Sequence, residues 1–354
     1  MMMDFKPITG RKIRIALVGC AGRVAKNHLD AIMQNDADLE LYAVCDAQID
    51  KSKEIAAQTG AKHYDLFHDL LSDANIDVIT LCTPSGLHSL QTVKAAEAGK
   101  HVITEKPMAT RWNAGLEMVR ACDEANVKLF VVKQNRFNST LQLLKKAIDL
   151  KRFGHIYLVN VNVFWMRAQS YYDLADWRGT WEFDGGAFMN QASHYIDLLH
   201  WLIGPVETIH AMTATLGRNI EAEDTGVLNV RWRCGALGSM NVTNLTYPKD
   251  LEGSITILGE YGTVKVGGIA LNKIEQWTFK DKHPDDEKIH EVSYETDSVY
   301  GFGHAYYYKN VIDVLRGQAE ALTDGRSGLK SLELLIAAYL SAREGHPVHL
   351  PLEY

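Results

Sequence analysis

The sequence predicts an α/β protein in two parts: an N-terminal doubly wound parallel sheet, then an α+β domain built on a large, open, mostly antiparallel sheet. Three observations point there. The chain has 354 residues, beyond the roughly 250–300 at which single cores stop growing. Its first third alternates short apolar runs with longer amphipathic stretches. Past about residue 137 the rhythm changes to β-branched or alternating runs separated by glycines and charged turns.

In order, residues 13–18, 39–45, 78–82, 101–104 and 128–132 read as strands. Between them, 24–34, 49–59, 87–98 and 111–125 carry apolar residues at helical spacing. Strand, helix, strand repeated in this way closes by right-handed crossovers into a parallel sheet. In the second part, 159–165, 209–215, 226–232, 236–245, 254–258, 262–266 and 274–279 read as strands of an open sheet. Helical stretches at 140–150, 190–202, 305–315 and 328–343 are expected to pack on one face of that sheet or on the first domain. The expected domains are 1–136 and 137–354.

Hydrophobic residues make up 46% and charged residues 23%, which suits a chain that is globular throughout. A net charge of −7 provides no basic field to attract nucleic acid or anionic lipid, so neither is an expected partner. No segment approaches the ~20 apolar residues of a membrane span, and the first residues lack the apolar core of a secretory leader. A cytoplasmic location is therefore expected. The five cysteines, Cys20, Cys45, Cys82, Cys122 and Cys234, form no CxxC pair, as reduced structural thiols do, and no metal site is expected.

The turn after the first strand carries small residues at Gly19, Gly22 and Ala25, spaced GxxGxxA. Such a turn lets the backbone approach a pyrophosphate, while the next helix offers unpaired N–H groups and its positive dipole end. This variant of the usual GxGxxG signature gains weight from its place at the first βαβ unit, with Asp46 ending the second strand. An acid there accepts both ribose hydroxyls and repels a 2′-phosphate. The first domain is thus expected to be a Rossmann domain that binds NAD rather than NADP. The residues expected to touch the cofactor are Gly19, Ala21, Gly22, Arg23, Val24, Asp46, Thr83, Pro84, Ser85, His88, Glu105, Lys106 and Asn135.

Two further segments sit at carboxyl ends of strands, where open α/β sheets bind ligands: Thr83-Pro84-Ser85-Gly86-Leu87-His88 and Glu105-Lys106-Pro107. With the run Gly185-Gly186 through His194 and Asp197 in the second part, they make a pattern of TPxxxH, EKP and a glycine-opened helix. The chain resembles the Gfo/Idh/MocA family, relatives of glucose-fructose oxidoreductase and inositol dehydrogenase, over almost its whole length.

Oxidising a secondary alcohol by hydride transfer needs NAD beside the carbinol carbon and a base for the hydroxyl proton. Lys106 and His194 are the candidates. Asn190 and His194, four residues apart, share a helical face and can address one hydroxyl. His194 is expected to be the base, with Lys106 holding the hydroxyl, although the reverse division stays open. Both side chains have to reach the same carbon. Many relatives have Asp and Gly where this chain has Asn190 and Ala192. An aspartate ~4 Å from an anionic substrate costs about 1–4 kcal/mol, so Asn190 hints at an acidic sugar.

The run from Trp165 to Trp181 combines Arg167 and Arg178 with Tyr171, Tyr172 and Trp181, guanidinium forks for anions beside aromatic faces for a sugar or base. With Asn190, it is similar to the subgroup that oxidises UDP-N-acetylglucosaminuronate at C3 in bacterial O-antigen lipopolysaccharide biosynthesis. That resemblance implies a nucleotide-sugar substrate, a product passed to an aminotransferase, and a homo-oligomer, a tetramer as in relatives. His304 is expected to complete the pocket. A free polyol or aldose such as inositol is the second expectation, and a catalytically silent NAD-binding regulator the third; retention of Lys106 and His194 weighs against the latter.

Overall fold

The computed structural model describes residues 5–352 apart from Asp297, Ser298 and Tyr300. The chain forms two compact units. The first runs to Lys133 and takes back His304–Leu329, and the second holds Gln134–Gly303 and the residues from Lys330 onward. A boundary after residue 136 misses the returning segment. Its helix is amphipathic, and amphipathicity does not record which core receives the apolar face.

The first unit contains, in order, β1 (Ile13–Val18), α1 (Ala25–Gln34), β2 (Leu39–Cys45), α2 (Ile49–Thr59), β3 (Lys62–Tyr64), α3 (Phe67–Leu71), β4 (Val78–Leu81), α4 (His88–Glu97), β5 (His101–Thr104), α5 (Trp112–Glu124) and β6 (Leu129–Val131). The six strands order as β3-β2-β1-β4-β5-β6 and every pairing is parallel. This is a doubly wound sheet whose order reverses between β1 and β4, where a crevice opens at the strands' carboxyl ends. β1 and β4 are buried almost throughout because helices cover both faces, so they read as continuous apolar runs. The short β3 and α3 carry too few residues to show a period, and the sequence did not reveal them. The returning segment pairs with β6: Val131 N–H donates to Thr323 O at 2.8 Å, and Phe130 bridges to Asp324.

The second unit continues with α6 (Ser139–Asp149), β7 (Ile156–Phe164), α7 (Gln169–Tyr172), α8 (Ser193–Leu198), β8 (Val206–Ala214), β9 (Thr225–Trp232), β10 (Leu237–Thr243), β11 (Glu252–Gly259), β12 (Gly262–Gly267), β13 (Lys273–Phe279) and α9 (Ile289–Val292). Then come α10 (Gly303–Leu315), α11 (Gly325–Glu344) and β14 (Val348–His349). The sheet orders as β13-β12-β11-β7-β10-β9-β8-β14, antiparallel except for the pair β7 and β10. One face is buried by Val159, Val161, Val163, Leu228, Val230, Met240, Ile255 and Ile257. The other carries cross-strand polar pairs: Asn160 to Ser239 at 3.0 Å, Asn241 to Asn162 at 3.0 Å and Thr225 with Thr243 at 2.9 Å. Alternation at period two therefore separates an apolar from a polar face.

The expected helix over 190–202 is broken into three pieces: a π-helix at Ala187–Gln191, α8, and a second π-helix at Leu199–Ile203. It lies on the buried face of the sheet, where two glycines leave room for its rings. A Cβ on Gly226 meets Phe188 at 2.3 Å, and one on Gly253 meets the Tyr195 hydroxyl at 2.0 Å. Among the described residues, no helix is long and apolar enough to cross a membrane.

Candidate cofactor and catalytic site

Gly19 turns with φ +78, and a Cβ on it lies 2.7 Å from the Cys82 carbonyl carbon, so only glycine permits the close approach of the two loops. Gly22 is packed against Gly19 O. The helix this turn opens, α1, has no side-chain cap and no acidic residue in its first turn. No side chain occupies its N-terminus, where Ala25 N–H and Asn27 N–H donate to Gly22 O and Val24 O at 3.1 and 3.0 Å, so the positive dipole end stays open to an anion such as a pyrophosphate. Asp46 is 9% exposed. Its two oxygens accept Ala21 N–H at 2.9 Å and Gln48 N–H at 2.8 Å, which pins the carboxylate over the turn with lone pairs remaining for ribose hydroxyls. These residues fit a dinucleotide. Arg23 is exposed, whereas Val24 is the last residue before the helix.

The TPxxxH loop begins with Thr83, whose hydroxyl donates to Gln91 Oε1, and continues through Pro84 and Ser85 into a short 3₁₀ turn. His88 is 1% exposed, with one ring nitrogen 2.9 Å from Pro107 O and the other 2.9 Å from Thr83 O. It ties this loop to the EKP segment instead of facing outward. Burial lowers its pKa, while the two carbonyls oppose that shift. Glu105 also turns inward, 5% exposed. One oxygen lies 2.9 Å from His28 Nε2 and the other accepts the backbone N–H of Lys106 at 3.0 Å. Burial disfavours its ionised form, but the His28 hydrogen bond and the charge of Lys106 outweigh that and bring its pKa down to about 2. Glu105 in this structure is a strut for its neighbour. His304 belongs to the first unit, 5% exposed and edge-on to His28 with centroids 5.4 Å apart. Burial brings its pKa down to about 3.

In the second unit the helix carrying Asn190 and His194 starts with a cap supplied from elsewhere. Ala187 N–H donates to Glu223 O, Phe188 N–H to Glu223 Oε1 and Met189 N–H to the Tyr339 hydroxyl, at 2.9, 2.9 and 3.0 Å. Tyr339 in turn donates to Glu223 Oε1 at 2.9 Å. Three orphan helix donors are thereby satisfied. The Glu223 carboxyl lies so close to Gly186 that a Cβ there meets Oε2 at 1.7 Å, which is why the second glycine of the pair is needed. Burial pushes the Glu223 pKa up to about 7, with the Phe188 and Tyr339 hydrogen bonds pulling the other way.

Asn190 sits on the wide π-turn, where residues four apart remain nearly aligned with the following turn. Its amide nitrogen donates to Asp184 Oδ1, and Asp184, 1% exposed, also accepts Gly179 N–H at 2.7 Å. A carboxylate at 190 would abut that of Asp184, so the protein itself demands an amide here, whatever the charge of the substrate. His194 is 7% exposed, with Nε2 3.0 Å from Gln134 Nε2. The amide donates and the imidazole nitrogen accepts, placing the neutral ring's proton on Nδ1. Gln134 and the adjacent Asn135 are tied to α8 by Arg136, which forms a buried bidentate pair with Asp197 at 2.6 and 2.7 Å. Asn135 Oδ1 is buried without a protein partner, as an acceptor reserved for a ligand would be.

Arg167 stacks on Trp165 and Tyr171 and pairs with Asp250 at 3.1 Å, so part of its charge is already matched. Arg178 lies over Tyr171 at 4.3 Å and Trp177 at 4.7 Å, with Nε buried and unpartnered. Trp181 is 43% exposed, edge-on to Tyr339. Tyr172 turns into the core, where its hydroxyl accepts Asn244 Nδ2 at 3.0 Å, and does not present that hydroxyl to a ligand. His28, Gln134, Asp184, Glu223, Tyr308 and Tyr339 were not singled out from the sequence. All but Asp184, whose partners Gly179 and Asn190 lie five and six residues away, act through a partner distant in the chain, and the Asp184 glycine run and the Gln134-Asn135-Arg136 polar cluster left a local signal.

A reversing parallel sheet with this glycine turn and acid defines the class, a dinucleotide-binding oxidoreductase. Comparison with known proteins narrows it: residues 13–133 match the family model described as "Oxidoreductase family, NAD-binding Rossmann fold", and residues 145–350 match "Oxidoreductase family, C-terminal alpha/beta domain". The chain belongs to the Gfo/Idh/MocA oxidoreductase family. Among solved structures it is similar to the WlbA dehydrogenase of Bordetella pertussis in complex with NADH and UDP-GlcNAcA, with 62% identity, TM-score 0.95, and coverage of 98% of this chain and 100% of that one. The WlbA dehydrogenase of Chromobacterium violaceum, also solved with NADH and UDP-GlcNAcA, is 61% identical with TM-score 0.95 and full coverage of both chains. A curated relative, the myo-inositol 2-dehydrogenase of Thermotoga maritima, is 28% identical over 71% of this chain and 74% of its own length.

Proposed function

We propose that this enzyme uses NAD to oxidise a secondary hydroxyl of a nucleotide-linked sugar, namely C3 of UDP-GlcNAcA (UDP-N-acetylglucosaminuronate). The observation that carries this is identity of 61–62% over essentially the whole chain to two dehydrogenases solved with NADH and that sugar nucleotide. Bound NAD accepts the hydride from the carbinol carbon. His194 takes the hydroxyl proton at Nε2, whose single lone pair the substrate hydroxyl takes over from the Gln134 amide that holds it in the free enzyme. Lys106 donates a hydrogen bond to the same hydroxyl. The attraction between the Glu105 carboxylate and the Lys106 charge favours the lysine as donor over the lysine as base. Asn190 orients the sugar, Arg167 and Arg178 take its anionic groups, and Tyr171 and Trp181 supply aromatic faces. Gly19, Ala21, Gly22, Val24, Asp46, Thr83, Pro84, Ser85 and Asn135 serve the cofactor. The polar open face of the large sheet, which also exposes Val227 on β9 and Leu237 on β10, is the surface for a homotetramer. The enzyme works in the cytoplasm on the path to O-antigen sugars, and its 3-keto product goes to an aminotransferase.

The test is reduction of NAD by purified protein, followed by absorbance, with UDP-GlcNAcA against a panel of free sugars and cyclitols. Turnover of the nucleotide sugar is expected; turnover of inositol or a free aldose alone overturns the substrate assignment. Lys106→Ala and His194→Ala should each lower kcat at least ~100-fold with NADH binding retained. Normal rates in either variant remove that residue from the mechanism.

A further inference from the structure

We infer that a buried hydrogen-bonded chain, Tyr308 to His28 to Glu105, is a positioning device for Lys106, with His28 as its pivot; this rests on the catalytic role proposed for Lys106. The four groups come from α10, α1 and the segment following β5. Tyr308 and His28 are 0% exposed and Glu105 5%. His28 Nδ1 lies 2.8 Å from the Tyr308 hydroxyl and Nε2 lies 2.9 Å from Glu105 Oε1, while Glu105 Oε2 accepts the Lys106 N–H at 3.0 Å. Thr80 Oγ1, on β4, is 3.4 Å from the same hydroxyl.

The bonds have a fixed sense. An ionised carboxylate only accepts, so Nε2 carries the proton; Nδ1 of the neutral ring is then the acceptor and Tyr308 the donor. Both Glu105 oxygens are thereby committed, one to a group anchored in two helices and one to the backbone from which the lysine side chain springs. Rotation of an unanchored Glu105 would displace that backbone N–H, and four methylenes would carry the error to the amine.

Packing alone does not call for a histidine at this place. The other buried positions of α1 are Ala25, Ala31 and Ile32, and an aliphatic side chain would fill the slot without requiring two polar partners. Metal binding is the other use for such a cluster, since His28, Glu105 and His304 hold potential ligand atoms within 4.8 Å of one another. Both His28 nitrogens are already engaged by protein groups, however, which favours an ordered proton chain. The His304 ring packs edge-on against His28 and closes the fourth side.

The experiment compares wild type, Lys106→Ala, His28→Ala, His28→Gln and Tyr308→Phe. Its readouts are UDP-GlcNAcA turnover, NADH titration, and the isotope effect on kcat with substrate deuterated at C3. Misplacing a catalytic group by about 1 Å costs on the order of 100-fold. His28→Ala is therefore expected to lower kcat ~30–100-fold with KM and NADH affinity within ~threefold, and to raise the isotope effect as hydride transfer becomes limiting. His28→Gln should recover part of the loss, because its terminal amide can donate to Glu105, and Tyr308→Phe should fall between Gln and wild type. Wild-type kcat in His28→Ala, or a loss with an unchanged isotope effect and no recovery in His28→Gln, overturns the inference. Inactive Lys106→Ala beside fully active His28→Ala rejects the positioning role alone, whereas active Lys106→Ala rejects the catalytic role on which it rests. Should His28→Ala not fold, His28→Gln and Tyr308→Phe decide: wild-type kcat and isotope effect in both count against the chain. Nitrogen NMR of the His28 ring needs no substrate. A protonated Nε2 and bare Nδ1 are expected, and the opposite tautomer overturns the chain.

Discussion

Single residues here work mainly by committing both ends of a polar group. Glu223 is the exception, since one carboxyl oxygen receives two donors and the other, buried, has no hydrogen-bond partner among the described residues. Its pKa rises from 4.5 to about 7 through burial. Between those values the unfolded chain releases a proton that the folded chain keeps, so folding loses stability as pH rises, by about 3 kcal/mol once pH exceeds 7. Glu223→Gln cannot ionise. Its melting temperature relative to wild type should climb as pH goes from 5 to 8, and a difference independent of pH would show that Glu223 does not titrate in this range. Asn190 illustrates the same economy of donors and acceptors: the amide is set by Asp184 inside the protein, so its presence no longer argues by itself for an anionic sugar. A sequence shows that residue 190 is an amide but not which carboxylate faces it.

The decisive element is the interrupted helix from Ala187 to Ile203. Its π-turns, the glycines that admit its rings to the sheet, and the cap from Glu223 and Tyr339 all set where His194 stands. The Arg136–Asp197 pair fastens that helix to the segment bearing Gln134 and Asn135. Removing one member of a buried pair leaves the other charge uncompensated, at a cost of about 3–5 kcal/mol. Asp197→Ala should therefore be destabilised by that much in urea unfolding, and Asp197→Ala with Arg136→Leu by distinctly less. Equal losses in the two would show that the pair's charges are not what matters. Helical periodicity located this element within a few residues. It could not show the π-turns, because apolar spacing does not distinguish a wide turn from an α-turn.

On the scale of the whole molecule, the returning segment matters most. His304–Leu329 completes the first unit, giving His28 its Tyr308 partner and β6 its edge contacts at Thr323 and Asp324. A fragment of residues 1–136 should therefore be unfolded or molten by circular dichroism. The same fragment joined by a flexible linker to residues 304–329 should melt cooperatively and bind NADH. Cooperative melting of the shorter fragment would mean that the return is dispensable.

Local chemistry was enough to read the alternating strands and helices of the first unit, the glycine turn with Asp46, and the sheet character of the second part. Periodicity and turn residues act over a few positions, and those positions are adjacent in the chain. The β7–β10 parallel pairing, the return of α10 to the first core, the inward turn of Glu105, His88 and Tyr172, and the partners of Asn190 and His194 depend on groups up to hundreds of residues apart. Such contacts are selected by the burial of whole surfaces and by the need to satisfy each buried donor and acceptor, conditions that exist only once the chain has folded.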